Sequence, residues 1–157
     1  MAMAKAPRVF INKAKWQLVG GKRFYSRSKL ERDFAFYLQH MKELGMIKDW
    51  QYEPKTFWFE SIKRGQRSYK PDFLVCGIDS SYRWYETKGY LDSCSRTKLK
   101  RFLKYYPEEQ LFIVFRIGKE RLLTKESIKE IFKEKSDGKK EEKENQMGSD
   151  QADDHRG

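Results

Sequence analysis

Cysteine is nearly absent: Cys76 and Cys94 are the only two in 157 residues. Two cysteines build neither a disulfide framework nor a zinc-binding spacing, and their scarcity fits a reducing, intracellular, cytoplasmic setting. Histidine is equally rare. His40 falls on a predicted helix face toward solvent and His155 lies near the end, so a histidine-based catalytic centre has one residue to draw on. No apolar run approaches the ~20 residues of a membrane-spanning helix, and the opening MAMAKAPR lacks the apolar core of a secretory signal. Acidic residues are missing from the first 30 positions, which hold eight Lys or Arg. These gaps disfavour secreted disulfide scaffolds, zinc modules and membrane proteins.

What is present is positive charge. Lys and Arg number 34 against 23 Asp and Glu, a net +11 with pI near 9.6. Residues 136–157 hold four of the basic and seven of the acidic side chains, which leaves 30 against 16 elsewhere, near +14. A polyanionic partner is the natural expectation; charge alone also fits a merely soluble basic protein. The length suits one domain with a true core. Residues 1–21 read as a basic flexible arm, with Val9–Ile11 able to form a short strand, and 136–157 as a disordered charged tail.

Periodicity places the elements between. Phe24–Gly45 reads as a helix: Ser28 and Glu31 form an S-x-x-E capping box, Leu30, Phe34, Leu38 and Met41 make its buried stripe, and Gly45 stops it. Met46–Lys55 reads as a connection, Thr56–Ile62 as a strand, and Lys63–Ser68 as a hairpin loop whose Arg64 and Arg67 suit phosphate contact or plain solvation. Polar capping residues in Leu91–Ser95 open a second helix that runs to Tyr106, with Leu99, Phe102, Leu103 and Tyr106 on one face and Arg96 and Lys98 among the cations of the other. Leu111–Phe115 reads as a strand buried on both faces, and Thr124 caps a last helix with Ile128, Ile131 and Phe132 inward.

The most informative stretch is Tyr69–Tyr90, YKPDFLVCGIDSSYRWYETKGY. Tyr69–Cys76 and Tyr82–Lys88 read as a hairpin turning at Gly77–Ser81, in which Asp79 is a turn residue. Glu86 and Lys88 share one strand face, roughly 6–7 Å apart along the backbone, and a paired strand brings Asp72 within cross-strand reach. Two carboxylates and an ammonium on one sheet face are costly in a core and useful at a metal-dependent phosphodiester site. The E-x-K spacing is weak alone, since Glu53–Lys55 and Glu141–Lys143 repeat it. Only Glu86–Lys88 lies beside a strand bearing Pro71–Asp72; Glu53 reads as structural. Glu31 has two readings, closing the capping box or facing the site.

Pro71–Asp72, then Glu86-x-Lys88, after a helix bearing Glu31, resembles the PD-(D/E)XK nuclease superfamily. The flanks SKLERDF (28–34), WQYEP (50–54), YKPDFLV (69–75) and ETKGY (86–90) are similar to phage-encoded nucleases related to endonuclease I-type Holliday-junction resolvases, and to the nuclease subunit of some cut-and-paste transposons. The resemblance covers about Arg27 to Phe115. It implies an α/β fold with a restriction-endonuclease-like αβββαβ core, a mixed central sheet flanked by helices, over residues 22–135. It implies Mg²⁺, or Mn²⁺ in its place, held by Asp72, Glu86, the Thr87 carbonyl and Glu31, with Lys88 as the catalytic lysine. Arg27, Arg64, Arg67, Arg96 and Lys98 are expected to bind DNA. The implied activity is hydrolysis of phosphodiester bonds in branched DNA by a homodimer, since resolving a junction takes two cuts and one chain carries one site; a phage origin would place it in a bacterial host cell. A transposon-end or sequence-specific nuclease with partner proteins, a non-catalytic DNA-binding module and an RNA-binding protein are the alternatives.

Overall fold

The structure, a computed structural model, describes residues 15–133. The Val9–Ile11 strand and the 136–157 tail fall outside the described residues. Eleven labelled elements run in the order β1 (Lys15–Val19), β2 (Lys22–Ser26), α1 (Lys29–Glu43), β3 (Ile47–Tyr52), β4 (Phe57–Trp58), β5 (Ser68–Tyr69), β6 (Phe73–Gly77), β7 (Tyr82–Thr87), α2 (Ser93–Tyr105), β8 (Leu111–Arg116) and β9 (Lys119–Leu122). A third helix, α3, occupies 127–133.

The architecture is α/β. A five-stranded mixed sheet has the order β3-β6-β7-β8-β9, antiparallel except for the parallel β7–β8 pair. That pair needs a crossover, which α2 supplies. Two small antiparallel sheets, β1–β2 and β4–β5, flank it. Alternation along each strand feeds two cores. Phe73 and Tyr85, opposite one another, face α1 with Phe34, Ala35, Leu38, Trp50, Val75 and Val114. Leu74 and Trp84 face the other way, toward α2, with Phe57, Leu99, Phe102, Leu111, Ile113 and Ile131. The apolar run at β8 is thus split between both layers, as an internal strand requires.

Several boundaries differ from the sequence reading. The arm expected over 1–21 gives way at Lys15 to β1, because Gly20 and Gly21, both at positive φ, turn the chain into a hairpin with β2. Phe24 therefore belongs to β2 and the helix starts at Lys29. The capping box is present: Ser28 accepts from the Glu31 N–H, and Glu31 reaches back to the Ser28 N–H. At the other end Gly45 (φ 70°) closes a Schellman motif, with Gly45 N–H to Lys42 O and Met46 N–H to Met41 O. Met46–Lys55 is not mere connection, since it contains edge strand β3. Of the strand expected over Thr56–Ile62, only Phe57–Trp58 pairs, and it does so with Ser68–Tyr69 away from the main sheet. Pro71 interrupts the strand expected over Tyr69–Cys76, so β6 starts at Phe73. Strand β9 was not expected. Thr124 caps the last helix as anticipated, accepting from the Ser127 N–H at 3.0 Å.

Candidate active site

The candidate residues gather at the end of the sheet where the two layers meet. The register Phe73↔Tyr85 carries Asp72 opposite Glu86. Asp72 Oδ2 accepts from the Thr87 N–H (2.8 Å) and Thr87 Oγ1 (2.6 Å), which locks the end of β7 to the start of β6. Glu86, on the Trp84 face, points toward α2. Its Oε1 pairs with Lys88 Nζ at 2.9 Å, and its Oε2 accepts from the Tyr69 hydroxyl at 2.9 Å. Glu31 comes from the α1 side; its Oε1 accepts from the Tyr52 hydroxyl (2.8 Å) and its Oε2 from the Arg27 and Ser28 N–H groups. One carboxylate thus closes the capping box and also lines the smaller cleft beside Asp72.

Glu53 is the residue that sequence reasoning set aside. Its carboxylate lies with those of Glu31 and Asp72 so that one oxygen from each falls within 4.8 Å of the others. Glu53 gets there with φ of 43°, an uncommon conformation for a side chain-bearing residue and one opposed by the extended preference ahead of Pro54. Such backbone costs roughly 1–3 kcal/mol and persists only where the surroundings impose it. Here the Glu53 N–H donates to Asp72 O at 2.8 Å, while Arg27 (2.6 Å) and Lys70 (3.3 Å) pair with its carboxylate.

The electrostatics follow from burial. Glu31, Asp72 and Glu86 are 3%, 6% and 4% exposed. Burial, with the Glu86 charge beside it, pushes the Asp72 carboxyl well above the ordinary carboxylate range, against the lowering effect of the Thr87 hydrogen bonds. Burial also raises Glu86, although Lys88 and Tyr69 oppose it. For Lys88 burial pulls downward, but the charge and hydrogen bond of Glu86, aided by Asp72, outweigh it, and the ammonium is held above its usual value. Lys88 is thus a charged donor at neutral pH. The Tyr69 hydroxyl, buried against Glu86 and Asp72, is pushed up and stays protonated.

Two clefts open onto this group. One of about 440 Å³ lies on the α2 side and is lined by Glu53, Glu86, Trp58, Lys98 and Ser95 among others; one of about 190 Å³ lies on the α1 side, at Ser28, Glu31, Thr87 and Gly89. Arg27, Asp72 and Lys88 line both. Of the expected DNA contacts, Arg27 and Lys98 are at the clefts. Arg64 and Arg67 sit exposed on the β4–β5 loop, away from the cleft linings. Arg96 lines neither cleft; its guanidinium donates to the Leu91 and Phe132 carbonyls (both 3.2 Å) and lies over the Phe132 ring, which joins α3 to α2. Of Thr87, the N–H and hydroxyl are engaged with Asp72, and the residue lines the smaller cleft.

The donor set fits a hard divalent cation. All three converging ligands are carboxylate oxygens, which suit Mg²⁺ or Mn²⁺ over softer metals, and the Asp72 carboxyl, whose charged form is opposed by burial and by Glu86 beside it, is of the kind an ion would relieve. The trio differs from the expected set: Glu53 stands in it, and Glu86 is turned to Lys88 and Tyr69. No family model, curated protein or solved structure matches the chain. Among the described residues no helix is long and apolar enough to cross a membrane.

Proposed function

We propose that the chain is a Mg²⁺-dependent endodeoxyribonuclease of the PD-(D/E)XK type, with a restriction-endonuclease-like core, acting as a homodimer on branched DNA. Its chief support is one convergence: Glu31, Glu53 and Asp72 present oxygens within 4.8 Å of one another, beside a Lys88–Glu86 pair 2.9 Å apart. The order α1-β3-β6-β7-α2-β8 also supports it, since it reads αβββαβ once the β4–β5 excursion is set aside.

In this reading Glu31, Glu53 and Asp72 would hold the ion, while Glu86 stays with Lys88 and Tyr69. A bound Mg²⁺ supplies Lewis-acid polarisation of the phosphate and a lowered pKa for the attacking water. Lys88 Nζ donates to that water or to a phosphate oxygen, where charge grows during attack. Glu86, raised by burial, suits taking the water proton at Oε1. Arg27 and Lys98 receive flanking phosphates. The low exposure of the carboxylates excludes bulk water and strengthens each of these interactions.

The test is cleavage of labelled four-way junction, linear duplex and single-stranded DNA with Mg²⁺, Mn²⁺ or EDTA, with Lys88→Ala alongside. Metal-dependent cutting of the junction, lost in the variant, is expected. Cutting of every duplex would keep the chemistry and overturn the branch preference; binding with no cutting under any metal would overturn the enzyme. Light scattering should give a dimer, and a monomer that only nicks would refute resolution.

A further inference from the structure

We propose that Trp58 is a stacking platform for a DNA base held out of the helical stack beside the scissile phosphate, an inference that rests on the nuclease reading above. Trp50 and Trp84 are buried in the core, whereas Trp58 is 57% exposed and lines the larger cleft together with Asp72, Glu86 and Lys88. Among the described residues no aromatic ring packs on its indole. A large apolar face left open inside a polar, charged cleft has no role in the core and matches the flat face of a base.

The local sequence explains the placement. In TFWF, Phe57 and Phe59 turn inward while Trp58 turns out. Its pairing partner Ser68 also lines the cleft. The platform is rigid. Phe57 is wedged edge-on against Trp84, Phe102 and Tyr106 with centroids at 5.0, 4.9 and 4.7 Å, and the Tyr106 hydroxyl donates to the Trp58 carbonyl at 2.7 Å. These anchors hold the backbone and the neighbouring ring, so the indole can be exchanged without disturbing them. Lys70 and Lys98 in the same cleft supply the charge that tracks a strand's phosphates.

The consequence is a substrate filter. Taking a base out of an intact duplex costs unstacking and unpairing, least where the base is already single-stranded or mismatched. A platform beside the reacting phosphate therefore favours junction points, flaps and single-stranded ends over continuous duplex, and it does so without reading sequence, because every base offers a π face.

The experiment measures binding of wild type, Trp58→Ala and Trp58→Phe by fluorescence anisotropy in EDTA, with a single-stranded oligonucleotide, its abasic counterpart, a four-way junction and a fully paired duplex. Trp58→Ala should bind the single strand and the junction about 5- to 150-fold more weakly, the fold-change equivalent to one stacked base. Affinity for duplex and abasic strand should be unchanged, and Trp58→Phe should recover part of the loss. Equal affinity of Trp58→Ala and wild type for the single strand, an equal loss on all four substrates, or no DNA binding by wild type would overturn the proposal. Because no metal or cleavage is involved, a wild type that binds but never cuts would end the nuclease assignment while leaving this result standing.

Discussion

Replacing Asp72 with Asn should stabilise the metal-free protein. Asp72 is held as a buried carboxyl against Glu86, Glu31 and Glu53. An Asn oxygen can still accept from the Thr87 N–H and hydroxyl, and its amide N–H₂ faces the neighbouring carboxylates as a donor, where Asp72 faces them as a like charge. Relief of an incompletely compensated buried polar group is worth roughly 1–3 kcal/mol, and at ~2–4 °C per kcal/mol for a chain of this size the melting temperature should rise by about 2–12 °C. The sign with pH is fixed by linkage. The folded-state pKa of Asp72 lies above the unfolded value, so between the two the native state binds more protons. Wild-type stability is then reduced at neutral pH and recovered as pH falls through the folded pKa, above the ordinary carboxylate range. The gap between variant and wild type should be widest near pH 8 and shrink toward pH 5, as followed by circular dichroism melts in EDTA. Adding Mg²⁺ should raise the wild-type melting temperature and leave the variant unmoved. A variant less stable than wild type at pH 8 in EDTA, or a gap that widens on acidification, would refute the reasoning.

Glu53→Gln should fold normally and lower cleavage at limiting Mg²⁺ by at least ~10-fold, the usual scale for lost support at a metal site, with partial recovery at high Mg²⁺; unchanged metal dependence in the cleavage assay would remove Glu53 from the ligand set. Tyr69→Phe takes away a hydrogen bond that lowers the Glu86 pKa, so the acidic limb of the pH–rate profile should move to higher pH, with ~1–2 kcal/mol lost in urea melts. Phe102→Ala, at a fully buried position ringed by Phe57, Tyr69 and Tyr106, should cost about 3–5 kcal/mol, read from the same melts.

The parts of the fold legible in the sequence were those specified by local chemistry. The capping box at Ser28–Glu31, Gly45 as helix stop, the Tyr82–Thr87 strand, the second helix and the apolar β8 are each written in a few adjacent residues. The missed parts depend on distant partners. Strand β3, IKDWQY, has an irregular pattern because it is an edge strand that buries Trp50 beneath α1, half-buries Ile47, Asp49 and Tyr52, and leaves Lys48 and Gln51 exposed. Strand β9, KERL, looks like loop because its ladder with β8 and not its side chains holds it. Aromatic content made Thr56–Ile62 look like a sheet strand, but Phe57 and Phe59 serve the α2-side core from a two-residue pairing. Of the candidate site, the meeting of Asp72, Glu86 and Lys88 at one end of the sheet was readable from alternation. Glu53 was not, since its left-handed backbone runs against the local preference ahead of Pro54. Its signals were an acid at the end of an aromatic stretch, WQYEP, and the E-x-K spacing to Lys55, which Pro54 made easy to discount. Arg96 carried a charge that suggested phosphate; that its Nε and Nη2 also meet two carbonyls, one of them on α3, was not legible because the partner is 36 residues away.

The parallel pairing of β7 with β8 bears on when the site comes into being as the chain folds. Asp72 and Thr87 meet across a short hairpin, and Glu31 meets Tyr52 across a helix and a turn, so the carboxylates can assemble from the first ninety residues alone. The Lys88 N–H, however, is fixed by the Val114 carbonyl at 2.9 Å, and the Tyr69 hydroxyl that donates to Glu86 belongs to a ring packed on Phe102 of α2. Parallel contacts of this kind close late, because the intervening loop must be ordered first. During synthesis, which delivers the amino-terminal segments first, the acids are thus present before the lysine is anchored and before water is shut out. A truncated or half-made chain that ends before β8 therefore carries the acidic cluster without the strand that anchors the Lys88 backbone.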